Sequence, residues 1–128
     1  MDKYPKYIGC DFDATISEYH GWKGPTDLGK PIPEMVRKIK EAMSQGSQVW
    51  IFTARVNPGG HEYKEALEAT QAYLAIAEWC VKVFGELLPI THEKNKLWQS
   101  IYDDRAIQVL PNSGILATDL LDAVAKRK

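Results

Sequence analysis

The sequence predicts an α/β fold: a doubly wound parallel sheet in three layers, formed by one domain over residues 1–128. Three observations lead there. Short apolar runs alternate with segments of helical period, which implies right-handed strand–helix–strand units. The runs are apolar with little polar alternation, as in strands covered on both faces. Carboxylates or a hydroxyl follow the runs directly, and α/β sheets hold their ligands beyond the carboxyl ends of strands.

Tyr7-Ile8-Gly9-Cys10 reads as the first strand and delivers Asp11-Phe12-Asp13 at its end. A Gly/Pro-rich stretch follows, and residues 16–31 are expected to form a loop or flap. Pro33 suits the first turn of a helix. Ile32, Val36, Ile39 and Met43 then make one apolar stripe, and Gly46 stops the helix. Gln48-Val49-Trp50-Ile51-Phe52 is the second buried strand, ending at Thr53. After the break at Asn57-Pro58-Gly59-Gly60, a long helix is predicted from Tyr63 to Phe84 and closed by Gly85. Its main stripe is read as Tyr63, Leu67, Thr70, Leu74, Ala77, Val81 and Phe84, with Ile76, Trp79 and Val83 beside it. So wide an apolar surface implies deep burial or contact with another subunit, hence a homo-oligomer as one expectation. Leu87-Leu88-Pro89-Ile90 is a short strand confined to an edge or a strand end by its proline. Ser100-Ile101-Tyr102 leads into Asp103-Asp104, Ala106–Val109 is read as a further short strand, and a last helix starts at Thr118.

Composition excludes several function classes. With 16 Lys+Arg, 17 Asp+Glu and a net charge of −1, the chain is no basic nucleic-acid coat, and nucleic acid is expected only as a substrate. No run approaches the ~18 apolar residues of a membrane span, and the N-terminus lacks the apolar stretch of a secretory signal. The two cysteines, Cys10 and Cys80, have no metal-binding spacing and read as reduced thiols in a cytoplasmic protein. His20, His61 and His92 share no spacing that suits zinc.

The chemistry lies in the aspartates. Asp11 and Asp13 at a buried strand end repel each other and require a cation or a shared proton. Asp103-Asp104 arrives from another strand and adds charge. A hard divalent cation resolves the repulsion, and Mg²⁺ is favoured because it uses few carboxylates and leaves positions for phosphate and water. An EF-hand calcium loop is excluded, since Ile16 and Trp22 stand where its glycine and glutamate belong. Asp11, Asp13, Thr53 and Asp103 are therefore expected to converge on one crevice.

Asp11-Phe12-Asp13-Ala14-Thr15 resembles the DxDxT signature of the haloacid dehalogenase superfamily. Trp50-Ile51-Phe52-Thr53, a lysine at Lys94 or Lys96, and Tyr102-Asp103-Asp104 resemble its other three motifs, in order, so that the likeness covers nearly the whole chain. Gly21–Pro33, Phe52–Arg55 and Asp103–Ala106 are similar to small stand-alone members often encoded by bacteriophages. The resemblance implies a Mg²⁺-dependent phosphatase, a phosphohydrolase acting on phosphomonoesters through an aspartyl-phosphate, with Asp11 the nucleophile and Asp13 the general acid/base; a nucleotide or nucleic-acid end is one candidate substrate, and the sequence does not choose it. Thr53, Ala54, Arg55 and Lys94 would hold the phosphate, Lys94 being preferred over Lys96 because it lies nearer the strand end. Asp11, Asp13 through its carbonyl, Asp103 and Asp104 would hold the metal. Ala14 departs from the glycine usual there. Neither insertion point leaves room for a cap domain, so an open crevice is expected. The alternative is a non-catalytic phosphate-binding or scaffold domain on the same fold.

Overall fold

The computed structural model describes residues 3–126. Its elements are β1 (Tyr7–Asp11), α1 (Pro33–Ser44), β2 (Gln48–Phe52), α2 (Tyr63–Phe84), β3 (Ile90–Thr91), β4 (Ser100–Tyr102) and α3 (Ala117–Lys126). The strands form one sheet in the order β3-β2-β1-β4, and every pairing is parallel. This is the parallel, helix-flanked architecture that the alternation of apolar runs predicts. Among the described residues no helix is long and apolar enough to cross a membrane.

One face of the sheet makes the core. Ile8 and Cys10 of β1 and Val49 and Ile51 of β2 point the same way, as residues two apart in a strand must. They pack with Val36 and Ile39 of α1 and with Ile76 and Cys80 of α2. Burial pushes the Cys10 thiol up to about 12, so it is an inert packing group. The opposite face is aromatic: Trp98, from the loop before β4, lies 5.2 Å from Phe52 and 6.1 Å from Trp50 between ring centroids. Gly9 belongs to this face because an added Cβ would clash with the Trp98 indole.

Two expectations are corrected. The stripe read as the inner face of α2 is largely its outer face: Tyr63 is 81% exposed and Leu74 60%, whereas Ala69, Ala72, Ile76 and Cys80 are buried. Apolar residues occur all round this helix, so periodicity alone could not choose the face. The small Ala69 and Ala72 mark the side where the chain approaches closely. Ala106–Val109 forms no strand of the sheet. Val109 instead makes an isolated antiparallel bridge to Leu116, closing a small exposed loop that precedes α3. The segment is exposed, and α3 buries none of its residues.

The long connection between β1 and α1 is the expected flap. Its stem is closed by a bridge between Ser17 and Pro31, with Glu18 N–H donating to the Lys30 carbonyl at 2.8 Å. The Trp79 indole N–H, from α2, donates to the Gly29 carbonyl at 3.1 Å and ties the flap to the body.

Candidate active site

The crevice lies at the carboxyl ends of β1, β2 and β4, where the strand-end rule places it. Asp11 ends β1, Thr53 follows β2, and Asp103-Asp104 follow β4. After Asp11 the chain wraps around one carbonyl: the Ile16 and Ser17 amides both donate to the Phe12 oxygen, at 3.1 and 3.0 Å. The buried Phe12 ring packs edge-on against Trp79, with centroids 4.9 Å apart. Ala14 turns this loop with φ 64°, a left-handed conformation that explains why a glycine suits the position. Alanine sustains it at a cost of roughly 1–2 kcal/mol.

Asp11, Asp103 and Asp104 each offer a carboxylate oxygen, and these oxygens lie within 4.8 Å of one another. Thr15 links two of them. Its hydroxyl lies 3.4 Å from Asp11 Oδ2 and 3.2 Å from Asp104 Oδ1, and it accepts the Asp104 amide N–H at 3.1 Å. Asp103 is held by the Arg105 amide, which donates to Oδ1 at 2.7 Å. Burial, and then the neighbouring Asp104 and Asp103, push the Asp11 carboxyl up to about 7. Clustered oxygen donors, of which Asp11 is partly desolvated, fit a hard divalent cation.

Asp13 stands apart from this cluster. Arg55 Nε donates to Asp13 Oδ2 at 2.8 Å, and the arginine side chain is only 4% exposed. Asp13 Oδ1 is buried without a partner among the described residues. Thr53 aims Arg55: its hydroxyl accepts the Arg55 amide N–H at 3.2 Å and starts the 3-10 turn Ala54–Val56. The guanidinium then reaches under the flap, 4.9 Å from the Trp22 ring centroid, with one nitrogen 3.4 Å from the Gly24 carbonyl. The family resemblance implies a phosphate contact for Arg55. The structure gives it a buried ion pair.

Two adjoining clefts divide the site. One, of about 450 Å³, is lined by Asp11, Thr53, Ala54, His92, Asp103 and Arg105. The other, of about 420 Å³, is lined by Asp13, Trp22, Arg55, Glu65 and Glu68. Ala54 and Asn57 border both. Lys94 and Lys96 are exposed and line neither cleft. His92 does line the first, and it follows β3 directly as Thr53 follows β2. The strand-end rule applied to β3 would have singled it out.

No protein-family model and no curated protein matches the chain. Among solved structures, it is similar to one described as the conserved protein coded by a locus from Bacteroides thetaiotaomicron. The two share 20% identity over 95% of this chain and 91% of that one, with a TM-score of 0.47.

Proposed function

We propose that this chain is a Mg²⁺-dependent phosphomonoesterase of the haloacid dehalogenase type, with Asp11 as nucleophile and Asp13 as general acid/base. The observation that carries the reading is the meeting of Asp11, Asp103 and Asp104 carboxylates, from two adjacent parallel strands, beside a cleft of phosphate-accommodating size. Asp11, Asp103 and Asp104, with the Asp13 carbonyl, would hold the metal. When bound, it would offset the clustered charge and polarise the phosphoryl oxygens.

The chain's own residues then divide the work. A carboxylate oxygen of Asp11 attacks phosphorus while the bond to the leaving oxygen breaks. Asp13 gives its proton to that oxygen, so an alcohol leaves and an aspartyl-phosphate remains. In the second step Asp13 takes a proton from water, the water oxygen bonds to phosphorus, and the bond to Asp11 breaks to release phosphate. Such proton transfer is worth about 10²–10⁴-fold. Arg55 holds one oxygen of Asp13 and so positions its carboxyl group. The Thr53 hydroxyl and the Ala54 backbone border the phosphoryl group. Arg105 brings positive charge to the lining of the cleft, and His92 adds ring nitrogens that can hydrogen-bond a phosphoryl oxygen.

The test is hydrolysis of p-nitrophenyl phosphate with and without Mg²⁺. Turnover that requires Mg²⁺ and stops in excess chelator is expected. Binding of phosphate without turnover of any ester would favour the scaffold reading instead.

A further inference from the structure

The two clefts assign directions to the reaction. Asp11 lines only the first and Asp13 only the second. A group that protonates the leaving oxygen must reach it within hydrogen-bond distance. The departing part of the substrate therefore lies on the Asp13 side, in the cleft between the flap and the first turns of α2.

The lining of that cleft selects what fits. Trp22 is 52% exposed although Arg55 stands against its ring, so much of the indole is open to a ligand. Aromatic side chains offer a broad apolar face to rings and sugars. Across from it stand Glu65 and Glu68. Glu65 Oε2 accepts the Gly60 amide N–H at 3.2 Å, which holds its carboxylate at the rim. The two glutamates face a cleft whose one guanidinium is already engaged by Asp13. Lys64 lies outside the lining, 4.0 Å from Glu68 and 83% exposed, where an ion pair contributes little. A second phosphate in this cleft would meet like charge, and among the residues that line it no cation but Arg55 could receive it. Hydroxyl groups would find carboxylate acceptors. A volume of about 420 Å³ lies within the range of small-molecule sites.

On the phosphomonoesterase reading, we infer that the cleft between Trp22 and Glu65/Glu68 is the leaving-group subsite, and that it takes a nucleoside-type leaving group: ring-bearing, rich in hydroxyls and without a second anionic group. The flap supplies the stacking face, and α2 supplies both the hydrogen-bond acceptors and the charge that rejects polyphosphates and nucleic-acid ends.

The experiment compares adenosine 5′-monophosphate with adenosine 5′-diphosphate, whose leaving group carries the extra phosphate, and uses p-nitrophenyl phosphate as the activity control. In the wild-type protein kcat/KM for the monophosphate is expected to exceed that for the diphosphate by about tenfold or more, as like-charge exclusion implies. In the Glu65→Gln/Glu68→Gln double variant, which keeps shape and acceptors, that ratio should fall severalfold. Trp22→Ala should raise KM for the monophosphate while leaving the affinity for inorganic phosphate unchanged. Equal use of the two nucleotides, or a ratio unmoved by the double variant, overturns the inference while p-nitrophenyl phosphate hydrolysis leaves the phosphatase reading standing. If no ester is hydrolysed, calorimetric binding of both nucleotides decides separately. Preference for the monophosphate, lost in the double variant, upholds the subsite and rejects the phosphatase. Equal binding rejects both.

Discussion

Asp11 ends β1 and Asp13 follows two residues later, yet they stand in opposite electrostatic settings. Asp11 meets the Thr15 hydroxyl and the carboxylates of Asp103 and Asp104, which are close enough to share a cation. Asp13 meets a buried guanidinium and faces the flap. Identical side chains are thereby given different tasks by their surroundings, one toward metal and phosphorus, the other toward the leaving group. A continued strand would have put both on one face. Instead the chain leaves the strand after Asp11, and the turn around the Phe12 carbonyl sends Asp13 to the other cleft.

Substitutions on the two sides should fail differently. The largest effect is expected from Asp11→Asn, which keeps shape but removes the nucleophile, so turnover of every ester should fall below detection in a phosphate-release assay. Asp13→Asn should retain phosphate binding and slow both chemical steps by about 10²–10⁴-fold. Its deficit in forming the intermediate, read by rapid quench, should be smaller for aryl than for alkyl phosphates, because good leaving groups need less protonation. Equal deficits would remove Asp13 from the acid role. Arg55→Gln should come next, at roughly 10–10²-fold in kcat, since a misplaced acid loses alignment and not chemistry. Partial recovery in Arg55→Lys would identify charge, and none would identify the fork geometry, as what positions Asp13.

The smallest effect is on stability, and it separates the two sides by pH. Asp11 keeps its proton in the folded protein up to about pH 7, whereas its ordinary value is 3.8. Between those values the folded state binds more protons than the unfolded state, so this group's contribution to stability falls as pH rises through the window. Metal binding favours the carboxylate and offsets the loss. Mg²⁺ should therefore raise Tm more at pH 8 than at pH 5, as read by thermal melts, and Asp11→Asn should flatten that difference. Equal shifts at both pH values would place the metal away from Asp11.

Much of the sheet and of its ligand edge was legible in the sequence, because strand ends locate side chains without any tertiary knowledge. Asp11, Thr53 and Asp103 come from that rule alone. The Arg55–Asp13 pair was not decidable, since it joins groups 42 positions apart whose meeting depends on how the Thr53 turn and the flap pack. The buried face of α2 was misread because large apolar residues such as Tyr63 and Leu74 outweigh the small Ala69 and Ala72 in any periodic pattern, yet close packing selects the small ones. Lys94 was favoured by proximity in sequence, but the loop after β3 turns it to solvent and leaves His92 at the cleft.

The central claim is covalent: phosphate passes through Asp11. The most direct measurement is to quench the protein during turnover of p-nitrophenyl phosphate with Mg²⁺, reduce any acyl phosphate with borohydride, and locate the product by mass spectrometry. The account predicts homoserine at position 11, present only with substrate and Mg²⁺ and absent from Asp11→Asn. Hydrolysis that proceeds with no modification at Asp11, or with the modification at another carboxylate, would contradict it.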